Sequence, residues 1–188
     1  MDRMPTLADA AMILNFFHSS KANPVPQQLY GAVVAQSRLP EFYRHFAIPD
    51  SVTGRFDMLS LHLFLFSHRL SREADPVARQ LSQDVFDEFT TDLDDALRAL
   101  GIGDTSVPKR KQTMVKGFYA QIEEFAPAID AGNWPLLADR LCGRFYGGAA
   151  KEEASRLADY CRSACENLGR IELSALLEGR LSWPDPAG

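Results

Sequence analysis

Residues that usually announce chemistry are scarce in this chain. It holds three cysteines, Cys142, Cys161 and Cys165, and four histidines, His18, His45, His62 and His68, in 188 residues. An odd cysteine count with no Cys-x-x-Cys argues against a disulfide framework and a four-thiolate zinc site, and fits a reducing compartment. Cys161 and Cys165 stand one helical turn apart, where buried small apolar residues are a better reading than a shared metal. The dimetal helical bundles need Glu-x-x-His on two helices, and none occurs. Nor is there a His-Glu-x-x-His, a Gly-x-Gly-x-x-Gly or a P-loop. These gaps leave no catalytic residue, metal ligand, cofactor or small-molecule substrate to assign, and the chain is expected not to be an enzyme.

Long apolar runs and basic excess are lacking too. The longest apolar stretch, Met58 to Phe66, is interrupted by Ser60 and His62, far from the ~18 residues a spanning helix needs. Membrane contact is therefore expected to be peripheral or through a partner. The first residues carry Asp2 and Asp9 and no clean apolar core before a cleavage site, so they do not read as a secretory signal. A cytoplasmic location follows as the expectation. A net charge of -5 gives no general reason to bind DNA.

What the chain does have is helical periodicity. With 46% hydrophobic and 24% charged residues it is an ordinary globular sequence, long enough for one sizeable core. The stretch from Ser51 to Arg72 is its centre: Phe56, Leu59, Leu63, Phe66 and Leu70 repeat at threes and fours. Met58, Leu61, Phe64 and Leu65 fill the other sides, and a helix apolar all round is a buried one. Ser51 or Thr53 can cap it, Asp57 sits in its first turns and Arg69 and Arg72 at its end, as the macrodipole favours. His62, in its apolar middle, reads as a hydrogen-bonded core histidine.

Around it, short helices are expected over 5–20, from Leu29 to Ser37 after Pro24 and Pro26 break the chain, and at Pro40, where Phe42, Tyr43 and Phe46 offer enough aromatic surface to pack on the central helix. Asp75-Pro76 then opens a long helix with Val77, Leu81, Val85, Phe89, Leu93, Leu97 and Leu100 along one seam. A further helix, capped by Thr105 or Ser106, carries Val107, Met114, Val115, Phe118, Ile122 and Phe125. Asn133 caps another, to Tyr146. The last segment, from Glu152 to Leu177, is expected to break at Gly169 and to leave a loose tail beyond Trp183. The fold class is all-α, a single compact domain of about seven to nine helices around the buried central one. Its expected parts are an N-terminal helix and linker (1–25), a core (26–148), and a C-terminal helix with a flexible tail packed on the same domain (149–188).

Two charge patterns stand out. Between Asp75 and Gly103 seven acids face Arg79 and Arg98, a balance equal to the net charge of the whole chain. Asp84, Asp87, Glu88, Asp92 and Asp95 form a stripe beside the apolar seam, with Asp94 next to it. Like charges so spaced cost stability, so the stripe reads either as a solvated face or as a docking surface for basic segments. Lys109, Arg110, Lys111 and Lys116 cluster in the first half of the following helix, enough for weak, salt-sensitive contact with an anionic surface.

Extended runs of residues resemble the ubiquinol-cytochrome c chaperone family. They are Y-G-A-V-V-A-Q-S-R and L-P-E-F-Y-R between 30 and 44, I-P-D-S-V-T-G-R-F-D-M-L-S-L-H at 48–62, F-D-E-F-T-T-D-L-D-D-A-L-R-A-L-G-I-G-D at 86–104, V-P-K-R-K-Q-T-M at 107–114, and G-F-Y at 117–119. The likeness covers Tyr30 to Tyr146 and leaves 1–25 and 150–188 outside. It departs from the family at Ala120-Gln121, where Gly-Arg is usual, and at Gly143-Arg144, where Arg-Asn is usual. The resemblance, of alphaproteobacterial type, implies a non-catalytic chaperone that holds newly made cytochrome b during assembly of the bc1 complex. The ribosome and the inner-membrane surface are further candidate partners. On that reading the acidic stripe, with Phe42 and Tyr43, is the expected client surface, and Lys109, Arg110, Lys111 and Lys116 face the ribosome or the membrane. The alternatives are a general helical protein-binding adaptor and, behind it, a helical metal- or quinone-binding enzyme.

Overall fold

The computed structural model describes residues 23–187; the helix expected over 5–20 lies outside them. Eight helices form among the described residues: α1 (Pro24–Ser37), α2 (Pro40–Arg44), α3 (Val52–Ser71), α4 (Pro76–Ala99), α5 (Val107–Asp130), α6 (Trp134–Tyr146), α7 (Lys151–Arg170) and α8 (Leu173–Leu177). They build the expected all-α domain around α3. Leu61, His62, Leu63, Phe64, Leu65 and Phe66, six consecutive residues, are all buried, because α1, α4, α5 and α7 each pack on this one helix. A helix enclosed on every side has no room for a polar face, which is why its middle is written apolar all round.

The start of α3 is set by two local features. The Ser51 hydroxyl accepts from the Gly54 N–H at 3.1 Å, satisfying one of the orphan donors of the first turn. Gly54 itself lies against the preceding chain so closely that a Cβ there would stand 2.0 Å from the Pro49 carbonyl oxygen. Any side chain at 54 would push α3 away from the Ile48–Pro49 segment that roofs its end.

Several boundaries differ from the sequence expectation. Pro24 and Pro26 do not break α1; they lie in its first turn, where a missing N–H costs nothing, and Asn23 caps them by accepting from Val25 N–H at 3.2 Å. In α4, Leu81, Val85, Phe89, Leu93 and Leu97 are buried, but Val77 and Leu100 are exposed and Ala78 is buried instead. A strict spacing of four outruns the 3.6-residue turn, so a seam written that way walks around the helix and leaves the core at its ends. Ser106 precedes α5 without a side-chain cap. The α7 helix passes through Gly169 to Arg170, and the chain turns extended at Ile171 (φ -80°, ψ 119°). Beyond Trp183 the tail is held rather than loose: the Gln36 amide donates to the Pro184 carbonyl at 3.0 Å.

Candidate functional site

The acidic residues of α4 and the basic ones of α5 occupy two neighbouring antiparallel helices. The α4–α5 pairing is fixed by aromatic contacts, Phe86 against Phe118 (centroids 5.5 Å apart) and Tyr119 (5.8 Å). One ion pair joins the two patterns, Lys111 Nζ to Asp94 Oδ2 at 2.6 Å. Lys111 is thus engaged within the molecule, whereas Lys109, Arg110 and Lys116 are exposed.

The acidic stripe is not uniform. Asp84 and Asp87 accept from the amides of Gln80 and Gln83, each one turn earlier, at 2.7 and 2.8 Å. Asp92 turns toward α1 and accepts from the Tyr30 hydroxyl at 2.7 Å. Burial first, then the bond to Asp92, pushes that phenol well above its usual range. Asp95 lies 3.7 Å from Arg98. Asp84, Asp87, Glu88 and Asp92 have no cationic partner within 4 Å among the described residues.

Phe42 needs correction as a surface residue. It is fully buried, packed edge-on against His62 (5.1 Å) and Tyr160 (4.9 Å) and tilted against Phe46 (5.5 Å). The short α2 helix lies directly over the middle of α3, so the apolar face of E-F-Y-R is used up by the core. Tyr43 is half-buried and donates to the Ser37 carbonyl at 2.9 Å.

His62 is the hydrogen-bonded core histidine expected, but the partners that make it one of two polar clusters were not legible from the sequence. His62 is buried and bonded at both ring nitrogens: Nδ1 to the Met58 carbonyl at 2.8 Å and Nε2 to the Tyr160 hydroxyl at 2.8 Å. A carbonyl can only accept, so Nδ1 carries the proton and Nε2 accepts from Tyr160. The Gln36 amide donates in turn to Tyr160 at 3.0 Å, and Trp183 closes over the imidazole at 5.1 Å. Burial lowers the His62 pKa to about 4, which keeps the ring neutral. The second cluster joins α3, α5 and α6: Arg144 lies 3.8 Å from Asp57 and 4.0 Å from Glu124, and donates to the Gly117 carbonyl at 3.2 Å. Burial raises the Asp57 pKa and the Arg144 charge opposes that rise. Asp57, expected at the helix start for the macrodipole, is therefore also an interhelical partner.

Cys142 and Cys161 are buried and Cys165 half-buried. Burial pushes the Cys165 thiol up to about 11 and raises the Cys161 thiol well above its usual range, the opposite of what a nucleophile or metal ligand needs. Among the described residues no group of three or more His, Cys, Asp or Glu side chains is placed to hold a metal, and no helix is long and apolar enough to cross a membrane. A cleft of about 300 Å³ opens where the end of α3 meets α5 and α7, lined by Leu65, His68, Arg69, Arg72, Ile129 and Cys165, and a groove runs between α4 and α5. One cleft of this groove, of about 460 Å³, is lined by Phe86, Thr90, Val107, Pro108 and Val115 with the Asp94–Lys111 pair. A second, of about 200 Å³, lies on the other side of Phe86, where Ser67 and Ser71 of α3 join Arg79, Ser82 and Gln83 of α4 and Phe118, Tyr119 and Ile122 of α5.

The family model for ubiquinol-cytochrome C chaperones matches residues 44–183. The chain belongs to that family. A solved structure described as the Cbp3 homolog from Brucella abortus is similar over 94% of this chain and 98% of that one, at 35% identity and a TM-score of 0.81. No curated protein matches. The family match begins later than the resemblance read from the sequence and runs well past Tyr146 to Trp183. The fold explains the extension: α7 supplies Tyr160 to the His62 network and the tail supplies Trp183, so the core of this chaperone fold is incomplete without them.

Proposed function

We propose that this member of the ubiquinol-cytochrome C chaperone family is a non-catalytic chaperone that binds newly made cytochrome b and supports assembly of the bc1 complex. The observation that carries the reading is the family match across 44–183, supported by a solved Cbp3 homolog that is similar along nearly the whole chain. The surface is compatible with it. Loops on the cytoplasmic side of membrane proteins carry an excess of Lys and Arg. Asp84, Glu88, Asp92 and Asp95 present the complementary charge on one long helix. In this reading they meet the client, while Lys109 and Arg110, at the start of α5, face the ribosome or the anionic membrane surface.

The test is deletion of the gene, followed by a reduced-minus-oxidised spectrum of the membranes and by capture of cytochrome b on the purified chain. Loss of the b-type signal of the bc1 complex, restored by the wild-type gene, together with capture of cytochrome b, is the expected result. Membranes with an unchanged spectrum would reject the role. A changed spectrum without capture would leave a chaperone acting on a different bc1 component.

A further inference from the structure

The two clefts between α4 and α5 are parts of one groove that follows the hairpin, with Phe86 as the ridge between them. Its exposed lining is mostly apolar around Phe86, with the Asp94–Lys111 pair toward one end and Ser67, Ser71 and Arg79 toward the other, and Tyr119, half exposed at 50%, stands along it. At the level of Phe86, between Arg79 and Arg98 of the α4 wall, its rims differ in sign. Helical spacing puts Asp87 on the outer flank of the α4 wall, one residue past Phe86. It puts Lys116 on the outer flank of the α5 wall, one residue past Val115. Both are exposed, and neither has an ion-pair partner among the described residues. The register set by Phe86 against Phe118 and Tyr119, and by Asp94 against Lys111, holds Asp87 and Lys116 at nearly the same level along the groove.

A partner that fits must offer an apolar ridge flanked by a cation over the α4 rim and an anion over the α5 rim at one level. This hairpin itself has that pattern. Rotation by 180° about an axis lying along the groove keeps every level and exchanges the rims. It brings the acidic rim of one copy over the basic rim of the other, with Phe86 and Tyr119 of both near the axis. We propose that the α4–α5 groove docks a second copy of the same chain, as a two-fold four-helix bundle in which Asp87 of each copy meets Lys116 of its mate. Isologous contact of this kind is the commonest route to a homodimer, and antiparallel hairpins stack readily into such bundles.

Sedimentation equilibrium of the full chain, over a range of protein and salt concentrations, tests it. A monomer–dimer equilibrium that weakens with salt is expected. D87K and K116D should each weaken the dimer by about tenfold, because two symmetry-related pairs become repulsive in each variant. The double variant D87K/K116D should recover wild-type affinity. The two single variants mixed in equal amounts should associate more tightly than either alone, since both pairs are then attractive, and an ordering artefact or a misfolded variant cannot produce that result. Y119A should weaken all of these dimers. A wild-type chain that stays monomeric throughout, or singles that neither recover in the double nor pair with each other, would overturn the inference. If the chain is monomeric and D87K instead loses a basic fragment of cytochrome b, the groove belongs to the client.

Discussion

The side of α3 that faces α1, α2, α7 and the tail contrasts with the outer side of the α4–α5 hairpin. On the first, polar groups are few and most are bonded in a line, from the Met58 carbonyl through His62 and Tyr160 to Gln36 and the Pro184 carbonyl, with the buried Trp183 indole N–H left without a partner among the described residues. The rest is aromatic and aliphatic packing. On the second, charges are many and most have no opposite charge beside them among the described residues. Buried groups that depend on one another define one structure, because each left alone is costly. Exposed charges contribute little to stability, so their arrangement is available for recognition. Substitutions on the two sides should therefore fail in different currencies, unfolding on one and binding on the other.

The largest effect should come from Leu63→Ala, in the middle of the seven-residue buried run from Ser60 to Phe66. Truncation of a buried leucine costs about 2–5 kcal/mol, read as a fall in the urea midpoint with the slope unchanged. A loss below about 1 kcal/mol would mean that α3 is not enclosed at this level.

Acid should break the same side next. Unfolded His62 takes up a proton near 6.5, while the buried ring resists protonation down to about 4. Between those values the unfolded chain binds more protons, so stability is full above pH 6.5 and falls as pH drops toward 4. The His62 contribution amounts to about 3 kcal/mol over that window. Denaturant unfolding at pH 7 and pH 4.5 should show the loss, and His62→Leu, although less stable at pH 7, should lose less on going to acid. Equal acid sensitivity in the variant would place the cause among the carboxylates.

A smaller cost is expected for Tyr160→Phe, which leaves His62 Nε2 and the Gln36 amide without the hydroxyl between them. Stranding buried polar groups costs about 1–3 kcal/mol. A double-mutant cycle with Gln36→Leu should show coupling, because the two share one hydroxyl. Additive losses would mean that the line from α1 to α7 is not a network.

The helices themselves were largely readable, because periodicity and caps are local. Ser51, Asp75 and Asn133 all cap as their positions suggest, and the apolar girdle of α3 announced its burial. What was not readable is long-range. His62 invites a buried partner, but nothing near it in the chain points to Tyr160, 98 residues on. Phe42 packs on the central helix as its aromatic turn suggests, but full burial against His62 and Tyr160 leaves it nothing to offer a client, and a five-residue turn does not reveal how much of its apolar side the core takes up. The Pro-rich tail beyond Trp183 looked loose because short terminal segments show no periodicity, yet Gln36 holds the Pro184 carbonyl and Trp183 itself packs on the His62 ring. Of the candidate surface, the sequence located the two charge patterns and missed that Lys111 is spent on Asp94 and that a groove runs between them.

The contrast is sharpest where stability should not move at all. Replacing Asp84, Glu88 and Asp92 by Asn, Gln and Asn removes three charges from the outer side of α4. Each replacement keeps an oxygen that can accept, so the bonds from Gln80 to Asp84 and from Tyr30 to Asp92 can persist. Like charges at spacings of four repel, so their removal should leave the melting temperature unchanged or slightly higher. Binding should respond instead: capture of a basic cytochrome b fragment should weaken several-fold at low salt, and its salt dependence should flatten, because rim charges act on encounter and register more than on packing. These three positions lie off the groove wall, whose rim acid is Asp87, so the dimer equilibrium should be little affected by the same triple variant. Client capture equal to wild type at low salt would show the stripe to be a solvated face. With Phe42 buried, the client site would then have to be sought on the open apolar surface around Tyr119. Loss of capture together with a large drop in melting temperature would erase the distinction between the two sides, since the charges of α4 would then be holding the fold.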